Sequence, residues 1–339
     1  MGLAAIVLAA GAGTRMKSKR PKVAHEMLGK PLVNWVIDAA GEAGIERVVT
    51  VVGHMREQVE PLVAQASEIV VQEQQRGTAD AVMSCREALE GFEGSLLVLS
   101  GDSPLITADT MRQLIDLRER NNAAVVVLTM KLDDPFGYGR IVRDEGGAVR
   151  RIVEQKDATP EEAALNECNS GVYCFDARAL FEALEQVGSD NAQGEYYLTD
   201  VLHICRRAGR AVLALPAKDA NECLGVNSRI QLAQATKIAQ RRINEAFMLS
   251  GVTMLDPDQV WIGPDATIDS DVEIMPQVFL LGHTQVGEDS HIGPNTRLID
   301  TTVGRGCVLD EVVAEKAIID DGVSCGPRAY LAPGTHVTA

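Results

Sequence analysis

The apolar positions change period along the chain, and each change marks a different kind of element. Residues 3–9, Leu-Ala-Ala-Ile-Val-Leu-Ala, form an unbroken apolar run ending at Gly11-Ala12-Gly13. That is the pattern of a buried strand feeding a glycine loop. From Lys30-Pro31 to Ala43, Leu32, Trp35, Val36 and Ala39 recur at helical spacing. Further on, the pattern predicts strands over 47–52, 68–72, 95–100 and 123–131. It predicts helices over 59–66, 107–120 and 78–89, the last with Thr78 as N-cap. Strands alternating with helices predict βαβ units and a doubly wound, mainly parallel α/β sheet, Rossmann-like in outline. Beyond Lys131 the pattern loosens into a turn-rich connection over 134–141, a strand over 169–175 and a helix over 196–207. Residues 227–249 form a long polar-rich helix that suits a linker arm.

From Gly251 the period is six. Ile262, Ile268, Ile274, Leu280, Val286, Ile292 and Leu298 stand in strict register with Gly, Asp, Pro and Asn between them. A six-residue aliphatic repeat is the signal of a parallel β-helix, each repeat forming one face of a triangular coil. The register blurs after Leu298, although Gly304, Gly306, Gly322 and Gly326 continue the turns. Such a solenoid needs a cap or a partner at its open end, and His336-Val337-Thr338-Ala339 supplies no evident cap. The expected organisation is therefore 1–226 as an α/β domain, 227–250 as a linker helix and 251–339 as a partial β-helix.

Charge and cysteine usage narrow the function classes. A net charge of −16 argues against nucleic acid and anionic lipid as partners. No secretory leader and no bilayer-spanning stretch is expected. The seven cysteines form no CxxC pair and suit the reduced thiols of a cytoplasmic protein. The six histidines show no metal-ligand spacing.

Against this acidic background, five cations crowd into the segment after the first strand: Arg15, Lys17, Lys19, Arg20 and Lys22. A glycine loop at the C-terminal end of a parallel strand lets backbone N–H groups approach a phosphate. The dinucleotide fingerprint fails, because Met16 stands at its third glycine and Pro21 interrupts the helix that should follow. The P-loop pattern lacks its Gly-Lys-Ser/Thr. Asp102 follows the run Leu96-Leu97-Val98-Leu99, so its strand aims it at the same sheet edge. Alone it would be a turn or cap residue. Beside a basic loop it is a candidate ligand for a hard cation.

Leu8-Ala9-Ala10-Gly11-x-Gly13-Thr14-Arg15-Met16 with Pro21-Lys22 resembles the signature of sugar-1-phosphate nucleotidyltransferases. Further segments narrow the likeness: Gln72-x₄-Gly77-Thr78, Gly101-Asp102-Ser103-Pro104-Leu105, Gly137-Tyr138-Gly139-Arg140-Ile141, Val153-Glu154-Gln155-Lys156, Asn169-Ser170-Gly171, Asn191–Asp200 and Gly225-Val226-Asn227. Together they resemble the bacterial N-acetylglucosamine-1-phosphate uridyltransferases that also carry a C-terminal glucosamine-1-phosphate acetyltransferase. The resemblance implies a nucleotidyltransferase domain, a left-handed β-helix, UTP and N-acetylglucosamine 1-phosphate as substrates, Mg²⁺ as cofactor and a homotrimer.

It also implies roles for particular residues. Leu8, Ala9, Ala10 and Gly11 would hold the nucleotide through their backbone. Gln72, Gly77 and Thr78 would read uracil. Arg15 and Lys22 would meet the phosphates and carry the catalytic charge. Asp102 and Asn227 would bind Mg²⁺, and Gly139, Glu154 and Asn169 would contact the N-acetylhexosamine. In the family the acetyl-transfer site draws on later coils, on neighbouring subunits and on an arginine where this chain has Ala332. Acetyl transfer is therefore expected to be absent from this chain. Ser100 stands where some relatives carry an aromatic residue. Transfer to another hexose 1-phosphate, a non-catalytic scaffold and, more distantly, a dehydrogenase are the competing readings.

Overall fold

The computed structural model describes residues 2–339. They divide into two compact units. The first comprises the chain up to His25 with Pro31–Gln231, and the second comprises Glu26–Lys30 with Leu232–Ala339.

The first unit is built on a sheet whose main path runs Val212–Pro216, Val125–Lys131, Glu167–Asp176, Gly94–Ser100, Gly2–Leu8, Arg47–Val52, Glu68–Val71. Gly2–Leu8 is central and pairs in parallel with both neighbours, Leu8 lying opposite Val51 and Ser100. Glu167–Asp176 runs antiparallel to both of its neighbours, with a bulge between Asn169 and Tyr173. A hairpin of Arg140–Arg143 and Val149–Val153 hangs from it. Successive side chains of the central strands enter opposite cores. Ile6, Val49, Leu96 and Val98 pack with the helix Ala177–Leu184. Val7, Val48, Leu97 and Leu99 pack with the helices Leu32–Glu42 and Ala108–Arg120. Burial on both faces is why these strands are continuous apolar runs rather than alternating ones. The loops after Leu8, Val71 and Ser100 therefore leave the sheet at one edge, where open α/β sheets bind ligands.

Two predicted helices are shorter than their patterns. The helix starting at Thr78 ends at Met83 and has Gly77, not Thr78, as its N-cap. Cys85, Arg86 and Phe92 then bond three residues back, so the chain to Leu89 continues as turns. The helix expected from Tyr196 begins at Asp200. Tyr196 cannot join it, because its N–H donates to the Arg76 carbonyl at 2.8 Å and its own carbonyl accepts from Ala79 at 2.9 Å. Those bonds hold it extended against the Gly77 turn.

The second unit is a parallel β-helix of the left-handed hexapeptide type, with three five-stranded faces paired in parallel from coil to coil. All seven residues of the six-residue series are buried. The series does not stop at Leu298. It continues through Val303, Leu309, Ala314, Ile319, Cys325, Leu331 and Val337. The blur has a local cause: three steps, 298–303, 309–314 and 314–319, are five residues long. Each is closed by a non-glycine residue in left-handed backbone two places after the core residue, namely Asp300, Glu311 and Lys316, all at φ 49°. Most six-residue steps place that residue third, as at Asp271, Asp289 and Asn295. Deleting one turn residue keeps the aliphatic side chain on the axis while shifting the sequence period.

The helix Arg229–Leu249 packs from Ala235 onward on the first coil. Gln240 Nε2 donates to the carbonyls of Val260 at 2.6 Å and Asp258 at 3.1 Å. Asn244 Nδ2 donates to those of Pro257 at 2.8 Å and Val260 at 2.9 Å. The ammonium of Lys237 lies 4.4 Å from the Trp261 ring centroid. The helix thus caps one end of the solenoid, and its buried amides satisfy carbonyls that no strand reaches. In the same unit Lys30 Nζ pairs with Asp265 Oδ1 at 2.6 Å.

Candidate active site

The site is assembled at the C-terminal edge of the parallel strands. Ala9 N–H donates to the Val51 carbonyl at 2.8 Å and His54 N–H to the Ala10 carbonyl at 3.2 Å, so the chain leaving Leu8 stays fastened to its neighbour. Ala9 and Ala10 are buried while Gly11 is exposed, with nothing within 4 Å of where a Cβ would stand. The loop can therefore take a ligand directly against its backbone. Gly13 adopts φ 59°, and a Cβ there would lie 2.6 Å from Lys22 Cβ. The glycine lets the returning chain bring Lys22 against the loop.

Lys22 Nζ forms an ion pair with Asp102 Oδ2. It also donates to Asn227 Oδ1 at 2.9 Å. Arg15 donates to that same oxygen at 2.8 Å. Asn227 is held in turn by its N–H, which donates to Gln231 Oε1 at 2.9 Å. The adjoining Val226 N–H donates to the Asp102 carbonyl at 2.8 Å. Residues far apart in sequence thus share one cluster, with Arg15 and Asp102 on the same side. Lys17, Lys19 and Arg20 are exposed. One carboxylate oxygen and one amide oxygen already converge on a single ammonium cation. They are hard donors suited to a small divalent cation that keeps water and substrate oxygens in its shell. No group of three His, Cys, Asp or Glu side chains that could hold a metal occurs among the described residues, so a cation here would depend on ligand oxygens as well.

Two strands away, Gln72 is buried at 4% exposure. Its Nε2 donates to the Gly77 carbonyl at 3.2 Å and to Asp80 Oδ2 at 2.8 Å. Gly77 has φ 122°, and a Cβ would meet the Tyr196 carbonyl at 2.4 Å. Thr78 Oγ1 accepts from the Leu198 N–H at 3.0 Å, which ties this turn to the segment before Asp200.

Gly139, Glu154 and Asn169 form a third group. A Cβ on Gly139 would touch Glu154 Oε1 at 3.4 Å and Asn169 Cβ at 3.5 Å, and would press on Ile152 Cγ2 at 3.1 Å, so the three residues stand together with little space to spare. Asn169 is fixed at both ends of its amide. Nδ2 donates to Tyr173 Oη at 2.7 Å and Oδ1 accepts from Gly171 N–H at 3.1 Å. Glu154 accepts from Thr199 Oγ1 at 3.4 Å. Burial pushes its carboxyl above the usual carboxylate range, the Thr199 bond opposes this, and Asp157, Asp200 and Glu195 add to the rise. Gly171 links this group to the central strands, since a Cβ there would stand 3.3 Å from Ser100 Oγ.

All fourteen site residues singled out in the sequence lie in the first unit, along this edge and the adjoining bulge. Asp80, Thr199 and Tyr173 were not singled out. Asp80 carried one faint signal, an i,i+4 spacing from Arg76, which usually marks an ordinary surface pair.

The nucleotidyl transferase family model matches residues 4–256. The chain is 49% identical over 338 residues to the bifunctional protein GlmU of Lactobacillus johnsonii, covering 98% of this chain and 73% of that protein. It is 45% identical over 333 residues to GlmU of Halalkalibacterium halodurans, with the same two coverages. It is 44% identical over 335 residues to GlmU of Enterococcus faecalis, covering 99% and 73%. No helix among the described residues is long and apolar enough to cross a membrane. The chain belongs to the nucleotidyl transferase family and, within it, to the bifunctional GlmU proteins.

Proposed function

We propose that this chain transfers the uridylyl group of UTP to N-acetylglucosamine 1-phosphate, giving UDP-N-acetylglucosamine and pyrophosphate. The observation that carries the reading is the convergence of Arg15, Lys22, Asp102 and Asn227 beside the open glycine loop. A phosphate oxygen of the sugar ester attacks the α-phosphorus of UTP. The new P–O bond forms as the bond to the bridging oxygen of pyrophosphate breaks. The nucleophile is already an anion, so no general base is needed. Catalysis is positioning plus neutralisation of charge.

In this reading the backbone of Leu8, Ala9, Ala10 and Gly11 receives the nucleotide, and Gln72, Gly77 and Thr78 meet the base. Arg15 lies toward the departing pyrophosphate and Lys22 toward the reacting phosphates. Gly139, Glu154 and Asn169 bind the acetylated sugar. Asp102 and Asn227 would hold Mg²⁺, which when bound supplies positive charge to the phosphate oxygens. Lys22 bridges those same two oxygens, so its ammonium holds the carboxylate and the amide on one side of the site.

A cytoplasmic site of action goes with this reading, as do the seven free cysteines. So does a homotrimer formed through the solenoid, whose Val308, Ile318 and Tyr330 are exposed; sedimentation tests it. The catalytic reading is tested by coupled pyrophosphate release with UTP, Mg²⁺ and N-acetylglucosamine 1-phosphate, beside the unacetylated sugar phosphate. Turnover favouring the acetylated sugar is expected. Equal or preferred use of the unacetylated one would redirect the assignment to another hexose 1-phosphate.

A further inference from the structure

Gln72 sits at the end of the Glu68–Val71 strand, with its backbone N–H on the Val52 carbonyl at 2.8 Å. The orientation of a glutamine amide is normally a choice between two nearly identical shapes. Here the neighbours remove the choice. The Gly77 carbonyl and the Asp80 carboxylate can only accept, and both face the same atom of the amide, at 3.2 Å and 2.8 Å. That atom must be the NH₂. Both of its hydrogens are then used, and the carbonyl oxygen Oε1 is left outside the pair.

Asp80 is itself held. Its other oxygen, Oδ1, accepts from Arg76 Nε at 3.1 Å and from a second Arg76 nitrogen at 2.6 Å. The Arg76 guanidinium lies 5.8 Å from the Tyr196 ring centroid. Tyr196 in turn is bonded through its backbone to Arg76 and Ala79. The chain of constraint runs Tyr196, Arg76, Asp80, Gln72, and it ends on the direction of one carbonyl oxygen.

We propose that Asp80 is a positioning residue for nucleobase selection: it locks the Gln72 amide so that the base meets an acceptor and not a donor. This rests on the reading that Gln72 contacts the base. Uracil and thymine carry an N–H at ring position 3 and can donate to that oxygen. Cytosine carries a bare nitrogen there and would face it lone pair to lone pair. A buried amide that is fixed in direction rejects the wrong partner far better than one free to turn over, because the mismatch then leaves two buried acceptors unpaired.

The informative substitution is Asp80→Asn, which keeps the shape. Arg76 only donates, so the substituted side chain must keep its oxygen toward Arg76 and turn its NH₂ toward Gln72. Gln72 is then pressed to reverse and present its own NH₂ to the base. The measurement is titration calorimetry of UTP, dTTP and CTP, together with kcat/KM for UTP and CTP, in wild type, Asp80→Asn, Asp80→Ala and Gln72→Ala. The expected result is a fall of roughly tenfold or more in the UTP-to-CTP ratio for both Asp80 variants, with dTTP following UTP. A purely structural loss would weaken all three nucleotides together and leave the ratio standing, which would overturn the proposal. If Gln72→Ala loses discrimination while Asp80→Asn retains it, the role of Asp80 is refuted and the contact of Gln72 with the base stands. If neither variant moves the ratio, the base contact of Gln72 fails, and the inference with it.

Discussion

Lys22 and Asp102 meet in an ion pair on the C-terminal edge of the sheet, and Lys22 reaches on to Asn227 Oδ1 at 2.9 Å. The two partners come from different loops, Lys22 from the basic segment and Asp102 from the turn after the Gly94–Ser100 strand. Their meeting turns a cationic stretch and a lone aspartate into one site.

Replacing Asp102 by alanine removes the carboxylate from that site and leaves Lys22 with the amide oxygen alone. Metal-dependent pyrophosphate release should drop by roughly 10²–10³-fold. The fold should hold, because the Val226 N–H bond to the Asp102 carbonyl is untouched, while the melting temperature should drop modestly as the covered Lys22 ammonium loses its carboxylate. Turnover near that of wild type would exclude Asp102 from the metal-binding role.

Gly13→Ala tests the same geometry without touching a charged group. The residue has φ 59°, and the new methyl would stand 2.6 Å from Lys22 Cβ, an atom too close to the backbone to swing aside. The left-handed backbone costs an alanine about 1–2 kcal/mol. The variant should fold with slightly lowered stability and should lose turnover by pushing Lys22 away from Asp102. Full activity at reduced stability would show that the position of Lys22 is not critical.

Glu154 makes stability depend on pH. Burial raises its carboxyl in the folded protein from an ordinary value of 4.5. The folded state therefore keeps this proton to higher pH than the unfolded chain, so the contribution of Glu154 to stability is full below 4.5 and is lost as pH rises through the raised value. Asp200, also raised by burial, contributes in the same direction. Glu154→Gln should melt at a higher temperature than wild type at neutral pH and show a shallower decline with pH. An unchanged slope would mean that the Glu154 carboxyl is not shifted.

In the solenoid, Gln240→Leu should remove one of two donors from each of the Val260 and Asp258 carbonyls, Asn244 and Lys237 keeping the other. Losing a hydrogen bond from a carbonyl that keeps a second donor costs about 0.5–1.5 kcal/mol. Chemical denaturation with limited proteolysis of the full chain should find the β-helix opening first. No change in either would mean that water replaces the amide without penalty.

Much of the architecture was legible because burial on two faces and a six-residue repeat both leave strong periods. The strand read as 3–9 is Gly2–Leu8, and all seven members of the repeat point into the solenoid. What was hidden follows from contacts that carry no period. The repeat blurs in the sequence where three turns, those of Asp300, Glu311 and Lys316, are each one residue shorter. The helix over 227–249 reads as a polar-rich linker arm, because the carbonyls that Gln240 and Asn244 serve lie in another element. Tyr196 looked helical because its backbone partners, Arg76 and Ala79, are distant in sequence.

The site divides in the same way. Arg15 and Lys22 stood out as cations in one short loop of an acidic chain. Asn227, on the same oxygen as both, carried no local signal and entered only through family resemblance. Asp80 was hidden because its pairing with Arg76 resembles any helical surface pair, while the partner that matters, Gln72, lies outside the helix.

The most direct measurement is single-turnover pyrophosphate release from UTP and N-acetylglucosamine 1-phosphate with Mg²⁺, comparing wild type with Lys22→Ala. The chemical step should fall by roughly 10²-fold or more, with the sugar-phosphate KM nearly unchanged. A variant that keeps its rate at saturation and loses only affinity for the sugar phosphate would contradict the assignment of Lys22 to the reacting phosphates.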